Sequence, residues 1–467
     1  MAAADETTSK GSPPEGQSGS SAEAGPAAAP HTLAKDTLRR ARASLSSLVS
    51  EDSSQLPSLN IVADAIRLEL ESHGRVALLY VKLTRYGRLE RIFGWQIITD
   101  ILDAIGRSLR EMVGSSLRKL DVIADFTLSD SAFVVVLSRP RLQDAIVSDD
   151  LEAITKRVQE RLQATLLNDL APGVYDRVHP SVGASVIEVD DALTFEQSLQ
   201  IGVGGAMEAA EAQALEYDEE LSLSLAGSID DHELEPIFQP IIDAKRRGVI
   251  GYHATTRGPF YSPLRLPDVL LDVARRSPLL SLFGIEARAV GVAGATGLLP
   301  EELLFLECVA SELPNAAILA LSEFYSLNVS LVPQHVVFEL AASDLATNTV
   351  STLRTLINVH EMGFQVSIAG LGAEFTALNL IAEAKPDFLK LDPTVAAGAV
   401  SDPSLIDVVQ LLVRFGDRID AQLIAPGIVS QDQLSVLSRA GVELFCGELV
   451  ARPDTRLPQV SFKRLGL

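Results

Sequence analysis

Hydrophobic and polar positions separate two regions of the chain that have different patterns. Between residues 55 and 220, segments with a helical period alternate with short apolar segments such as VALLYVKL (76–83) and AFVVVLS (132–138). A period near 3.6 residues predicts a helix, and a short apolar run bounded by polar residues predicts a buried strand. We therefore predict a mixed α/β sheet domain over residues 55–220, with helices covering its sheet.

The second region, residues 236–467, repeats short apolar segments that alternate with helical ones. Its candidate strands are PIFQPII, GVIGYHA, LLFLECV, HVVFEL, FQVSIA, FLKL, AQLIA and VELFCG. Repeated strand–helix units with apolar strands are typical of closed barrels. We predict a (β/α)8-type barrel here. The acidic segment before it, residues 221–235, is predicted to be a linker.

The first 54 residues lack the apolar content of a folded core. Residues 1–30 consist mainly of Ser, Gly, Pro and Ala, and we predict a disordered tail. The segment TLAKDTLRRARASLSSLV (32–49) has a helical pattern and is predicted to form a tether or a short coiled segment.

The charge and cysteine content exclude several classes of protein. Lys+Arg 39 against Asp+Glu 62 gives a net charge of -23, which repels phosphate backbones and anionic lipids, so we expect no nucleic acid and no membrane as partners. Two cysteines without CxxC spacing predict neither a disulfide framework nor a zinc site. No signal peptide or apolar run of about 18 residues is visible. We expect a cytoplasmic protein.

The C-terminal ends of the predicted barrel strands carry few reactive side chains. Chemistry in such barrels lies at these ends, where the pattern places His253, Glu307, Glu339 and Lys390. A metal-dependent phosphotransfer or hydrolysis site needs several converging carboxylates, and only the two glutamates supply them. His253 is expected to lack partners from the other strands. We predict no metal and no cofactor.

Several motifs in residues 236–467 follow one another in a characteristic order. They are FQPIID with GVIGYHATTRG, then VVFELAAS, SIAGLG, FLKLD, LIAPGIV and FCGELVARP. In order and spacing they resemble the EAL domain, the barrel of cyclic-di-GMP phosphodiesterases. The resemblance implies the barrel fold and, in an intact member, two divalent metals that activate the attacking water.

This chain departs from the EAL pattern at the positions that serve catalysis. His253 stands at the signature Glu, Glu307 at the metal-binding Asn, Ala369 and Gly370 at the paired aspartates, and Pro426 at a later Glu. Alanine, glycine and proline carry no side-chain ligand or base. We therefore predict that the chain is not an enzyme and has no catalytic residues.

Some polar positions of the barrel remain as candidates for ligand binding. They are Gln239, Arg257, Glu339, Lys390 and Asp392. Arg257 could hold a phosphate. The competing interpretation is a salt bridge between Arg257 and a neighbouring carboxylate such as Glu339, and we favour this structural role.

Residues 55–220 resemble a second family, the GGDEF domain of diguanylate cyclases. LLYVKLTRYGRLERIFGW lies over its metal-binding motif and PSVGASVIEV over its S-I-G-V-A strand. Lys82 and Thr84 stand at the metal-binding aspartates, and a lysine ammonium repels a cation. The signature hairpin reads FTLSDSAF and lacks the family's glycines, so the resemblance is to a degenerate member.

One binding motif of the GGDEF family is kept. Arg118 and Asp121 stand at its R-x-x-D inhibitory site, where cyclic-di-GMP binds away from the catalytic centre. Arginine suits bidentate contact with a guanine edge or a phosphate. The alternative interpretation is an ordinary surface pair at the end of a helix.

Two hypotheses follow for the function. The first is a non-catalytic regulatory protein of cyclic-di-GMP signalling, in which degenerate GGDEF and EAL domains contact other signalling proteins. The alternative is a cyclic-di-GMP receptor that binds the nucleotide in the barrel or at the R-x-x-D site. An active phosphodiesterase is the remote alternative. The partner's identity and a homodimer both remain open.

Deletion of residues 1–30 is predicted to leave the melting temperature of the protein unchanged. This segment has almost no apolar surface to bury, so its removal takes away no packing. Differential scanning calorimetry of the full and shortened chains tests this expectation. A decrease of several degrees would show that the tail packs on the folded part.

Overall fold

The computed structural model describes residues 56–84, 86–126, 132–138, 148–313, 331–346, 349–372 and 378–466. The predicted tail and tether, and the turn of the FTLSDSAF hairpin, lie outside these residues. Among the described residues, no helix combines the length and apolar character needed to cross a membrane.

The first sheet has four strands in the spatial order β2-β3-β1-β4. β2 and β3 are antiparallel neighbours, with Val122 opposite Val136. Six consecutive buried residues in β1, Val76 to Val81, show that this strand is covered on both faces. The strands are β1 (Arg75–Leu83), β2 (Val122–Phe126), β3 (Ala132–Leu137) and β4 (Pro180–Glu188).

Helices flank these strands along the chain, as the pattern predicts. The helix after β4 is 36 residues long. The helices are α1 (Leu59–His73), α2 (Tyr86–Met112), α3 (Ser148–Asp169), α4 (Pro172–Tyr175) and α5 (Phe195–Asp230).

The predicted linker over residues 221–235 is wrong in its local structure. Helix α5 continues to Asp230, and the first barrel strand begins at Glu235. Leu221, Leu225 and Ile229 recur at helical spacing and are buried in one apolar cluster. The acidic residues next to these positions made the apolar spacing hard to recognise in the sequence. Burial of one apolar face is nevertheless enough to stabilise the helix.

The barrel prediction is confirmed. Strands β5 to β12 close a barrel in chain order, and β5 is antiparallel to both β6 and β12 while the other pairs are parallel. The strands are β5 (Glu235–Asp243), β6 (Gly248–Arg257), β7 (Leu303–Glu307), β8 (Val336–Ala341), β9 (Gln365–Leu371), β10 (Phe388–Leu391), β11 (Gln422–Ala425) and β12 (Leu444–Phe445).

Helices follow most of the barrel strands and cover the outside of the sheet. Three of them begin with a side-chain cap, in which Asp392, Asp402 or Ser430 accepts a hydrogen bond from a backbone amide two or three residues later. Such caps satisfy amides that have no partner within the helix. The helices are α6 (Pro267–Arg276), α7 (Leu280–Gly294), α8 (Ala342–Ala346), α9 (Thr349–Glu361), α10 (Leu378–Ala384), α11 (Pro393–Gly398), α12 (Pro403–Ile419) and α13 (Gln431–Arg439).

An apolar plug fills the interior of the barrel. Six strands each contribute one fully buried or nearly buried side chain, and Cys446, just after β12, joins them. A larger cluster on the outer face of the strands packs against the helices. The plug is formed by Ile241, Phe305, Val337, Phe388, Ile424, Leu444 and Cys446.

Gly251 allows β6 to approach β7 closely, so we predict that Gly251→Ala destabilises the barrel. A Cβ on Gly251 would overlap the backbone carbonyl of Leu303. Overpacking of this kind costs about 1–3 kcal/mol. A Cβ on Gly248 would meet no atom within 4 Å outside its chain neighbours, so Gly248→Ala is the matched control and should be neutral or stabilising. Urea unfolding measures both; equal stability of the two variants would contradict the expectation.

Candidate functional site

A polar layer lies directly above the apolar plug at the C-terminal ends of the barrel strands. Side chains two residues apart on a strand share a face. Glu339 therefore follows Val337 on the inner face of β8, and Lys390 follows Phe388 on the inner face of β10. The same alternation places His253 of β6 and Glu307 of β7 in this layer.

The centre of the layer is a buried ion pair between Glu339 and Lys390. Lys390 Nζ donates a hydrogen bond to Glu339 Oε1 at 2.8 Å, and Ser367 Oγ donates one to Glu339 Oε2 at 3.3 Å. The two charged side chains are only 8% and 9% exposed. The ammonium thus neutralises a carboxylate that water scarcely reaches.

This pairing shifts the acidity of both groups. Burial alone would raise the pKa of Glu339, but the charges of Lys390 and His253 hold that pKa well below its usual range. Burial alone would lower the pKa of Lys390, but the Glu339 carboxylate raises it above its usual value. Each group is therefore held in its charged form by the other.

His253 also contacts Glu339, so the expectation that it lacks partners from other strands is wrong. Its Nε2 lies 3.1 Å from Glu339 Oε1, the oxygen that Lys390 also contacts. The approach has ion-pair distance but not the alignment of a hydrogen bond. The physical reason is curvature, because closing the sheet brings the inner faces of β6 and β8 together.

Glu307 completes the layer beside Glu339. The two residues are register partners on the neighbouring strands β7 and β8. Glu307 is exposed whereas Glu339 is buried. The two carboxylates therefore differ in environment, and only the inner one is bound by the lysine.

The side chains present do not fit the two divalent metals that the family resemblance implies. The carboxylate best placed to bind a metal, Glu339, already holds an ammonium at 2.8 Å, which would repel a dication. Ala369, Gly370 and Pro426 supply no ligand atom from their side chains. In the described part of the chain, no group of three or more His, Cys, Asp or Glu side chains could hold a metal ion.

Arg257 pairs with a different carboxylate from the one we expected. Its Nε donates to Glu235 Oε2 at 2.9 Å, and Arg265 Nη1 donates to the same oxygen at 3.2 Å. Glu235 is the cross-strand neighbour of Arg257 in the antiparallel β5–β6 pair. The predicted partner Glu339 instead pairs with Lys390, because its side chain points into the barrel.

The two remaining barrel candidates serve local structure. Asp392 caps helix α11 by accepting a hydrogen bond from the Thr394 amide at 2.8 Å. Gln239 Nε2 donates to the Ala451 carbonyl at 3.4 Å. In the described part of the chain, no hydrogen bond or ion pair joins Gln239, Arg257 or Asp392 to the Glu339–Lys390 pair, so the five candidates do not form one cluster.

Arg118 and Asp121, the R-x-x-D motif of the first region, form hydrogen bonds with Ser138 at the end of strand β3. Asp121 is 5% exposed and accepts hydrogen bonds from the Arg118 amide at 2.6 Å and the Ser138 amide at 2.7 Å. The Arg118 guanidinium donates to the Ser138 carbonyl. Both side chains are thus engaged in fixing the end of β3.

Comparison with known protein families identifies the family of the barrel. The family model described as "EAL domain" matches residues 222–453, from the last turns of α5 through the barrel. This segment is an EAL domain. The resemblance inferred from the motifs is thereby confirmed for the barrel, whereas the GGDEF-like character of residues 55–220 stays a prediction.

Relatives of the chain differ in how much of it they share. The blue light- and temperature-regulated antirepressor BluF of Escherichia coli K12 is 23% identical over 50% of this chain and 57% of BluF. The bifunctional diguanylate cyclase/cyclic di-GMP phosphodiesterase MucR of Pseudomonas aeruginosa is 22% identical over 89% of this chain and 62% of MucR. A solved structure described as "PaMucR Phosphodiesterase, c-di-GMP complex" is 22% identical, with a TM-score of 0.46, over 50% of this chain and 97% of that one.

This chain matches only part of the length of each of these relatives. The chain spans about half the length of some curated relatives, 57% of BluF and 47% of the probable cyclic di-GMP phosphodiesterase PdeD of Escherichia coli K12.

Lys390→Met is predicted to destabilise the EAL domain strongly. The change leaves the Glu339 carboxylate buried without its counter-ion, which costs about 3–5 kcal/mol. The double variant Glu339→Gln/Lys390→Met removes both charges and should recover most of this loss. Urea unfolding of both variants measures the difference. Equal stability of wild type and Lys390→Met would contradict the burial of the pair.

Acid should destabilise the domain through Glu339. The folded-state pKa of Glu339 lies below the unfolded value, so its contribution is fully present above about pH 4.3 and is lost as the pH falls through the folded pKa. Glu339→Gln should therefore flatten the decrease in stability below pH 4. A pH series of melting curves compares it with Asp407→Asn, a change on helix α12 away from the barrel interior. An unchanged acid slope in Glu339→Gln would contradict the shift.

Proposed function

We propose that the EAL domain of this chain is a non-catalytic regulatory module of cyclic-di-GMP signalling that acts through contacts with other proteins. The observation that carries the proposal is the Glu339–Lys390 pair at 2.8 Å. In this pair a lysine ammonium occupies the carboxylate that is otherwise best placed to bind a metal ion.

The neighbouring positions support the same conclusion. A two-metal mechanism needs ligands that hold both ions and a base that activates water. Ala369, Gly370 and Pro426 supply neither. His253 lies against Glu339 rather than in a group of ligands. The matched relative BluF is described as a regulated antirepressor, which agrees with a regulatory role.

Purified protein should not hydrolyse cyclic-di-GMP in the presence of Mg²⁺ or Mn²⁺. His253→Glu should stay inactive too, because one restored carboxylate does not replace the ligands missing at Ala369, Gly370 and Pro426. Product formation is measured by chromatography, with an active EAL phosphodiesterase as the positive control. Turnover by either protein, above that of a sample without enzyme, would reject the proposal.

A second candidate function is binding of cyclic-di-GMP near Arg257. Two guanidinium groups, Arg257 and Arg265, share one oxygen of Glu235, which leaves one positive charge in excess at this end of β6. A phosphodiester anion would be attracted by that charge. The candidate binding residue is Arg257, which is 27% exposed.

Arg257→Ala separates the two candidate functions. Its ion pair is partly exposed, so the substitution should cost less than about 1 kcal/mol of stability. If Arg257 binds the nucleotide, the variant also loses any increase in melting temperature caused by cyclic-di-GMP. Lys245→Ala removes another exposed ion pair, Lys245–Glu443, and is the matched control. The absence of any nucleotide effect on wild type, in melting and calorimetric titration, would exclude the receptor function.

A further inference from the structure

A small cavity lies in the EAL domain between helices α6 and α7 and the end of strand β7. Its lining includes Gly284 and Arg288 of α7, together with Cys308 and Glu312, which follow β7 in the chain. The volume of this cavity is about 30 Å³. We call it the α7 cavity. It is separate from the Glu339–Lys390 pair, neither member of which lines it.

Arg288 and Glu312 form a buried ion pair at this cavity. The two side chains are only 2% and 3% exposed, and Arg288 Nη1 lies 3.5 Å from Glu312 Oε2. The same nitrogen donates a hydrogen bond to Cys308 Sγ at 3.7 Å, and the Val309 amide donates one to Glu312 Oε2 at 3.2 Å. The pair is therefore held through one nitrogen of the guanidinium and one oxygen of the carboxylate.

The other polar atoms of the two side chains have no hydrogen-bond partner among the residues that the structure describes. They are Arg288 Nε, Arg288 Nη2 and Glu312 Oε1, and all three are shielded from bulk solvent. Buried polar atoms without a partner are rare in folded proteins, because such atoms have lost their hydrogen bonds to water without replacement. These three atoms therefore indicate that the α7 cavity contains a bound group.

Gly284 makes room beside the unpaired carboxylate oxygen. It lies four residues before Arg288, so the two positions share one face of α7. A Cβ at Gly284 would overlap Glu312 Oε1. Helix α7 can thus approach Glu312 closely only because this position has no side chain.

The charges and the size of the α7 cavity select a small neutral ligand. Arg288 repels a cation and Glu312 repels an anion. Burial raises the pKa of the Cys308 thiol to about 12, so no thiolate is available to bind a metal ion. The unpaired atoms offer donors from the guanidinium and an acceptor from the carboxylate, so the ligand must both accept and donate hydrogen bonds. A water molecule does both and needs about 10–15 Å³ of such a cavity.

We propose that the α7 cavity is a hydration site in which about two internal water molecules bridge Arg288 and Glu312. The water accepts hydrogen bonds from Arg288 Nε and Nη2 and donates to Glu312 Oε1. It completes the partners of an ion pair whose direct contact uses one atom of each side chain. This site is independent of whether the domain binds or hydrolyses a nucleotide.

Crystallography of the full chain, at a resolution that shows ordered water, tests the proposal directly. We expect density for water within about 3.2 Å of Arg288 Nε or Nη2 and of Glu312 Oε1. An empty cavity, or a protein side chain in contact with these atoms, would overturn the proposal. Soaking with bromide distinguishes water from an anion, because an anomalous peak in the cavity would assign the site to a halide instead.

A measurement in solution provides the second arm. Magnetic relaxation dispersion of the water oxygen nucleus counts long-lived internal water in the full chain. Arg288→Met/Glu312→Leu replaces the buried pair by apolar side chains and should lower the count by about two. Lys245→Met/Glu443→Leu removes an exposed ion pair and should leave the count unchanged. An equal count in wild type and the folded Arg288→Met/Glu312→Leu variant would contradict the proposal, and the wild-type crystal structure decides it even where that variant does not fold.

Discussion

A carboxylate enclosed in a protein needs a counter-charge, and this requirement shapes the mouth of the barrel. Glu339 lies above the apolar plug and is 6% exposed. Its partner Lys390 comes from β10, on the other side of β9. Their attraction offsets the cost of removing both charges from water only while the strands hold them at 2.8 Å. The pair thus ties the strand ends together and also determines the site's chemistry.

The packing beneath this pair explains how an EAL domain can keep its fold when the side chains of its polar layer change. In a barrel the plug and the outer cluster carry most of the packing energy, and both are apolar. The polar layer above the plug can therefore change its side chains while the strands stay in register. Here the charge of the Glu339 carboxylate is balanced by side chains of the protein itself, because Lys390 and His253 contact it.

Outside the barrel mouth, charged residues act mainly on their immediate surroundings. Arg257 contacts its cross-strand neighbour Glu235, Asp392 caps a helix, and Asp121 fixes the end of β3. Each of these residues stands at a motif position that suggests ligand binding. Local partners satisfy them first, since a partner one strand or one turn away loses little entropy on pairing. Helix α5 differs, because its carboxylates at 216, 219 and 220 face solvent.

The sequence by itself determined the strands of the barrel and the EAL family of residues 222–453. Apolar segments of five to seven residues can be recognised locally, because burial on both faces leaves a continuous apolar run. Alternation along β8 and β10 could also have placed Glu339 and Lys390 on one inner face. Only the tertiary structure decided which charges pair: Lys390 with Glu339, His253 against the same oxygen, and Arg257 with Glu235. Those contacts join residues up to 86 positions apart, from His253 to Glu339, and depend on barrel closure and strand direction, which no local pattern encodes.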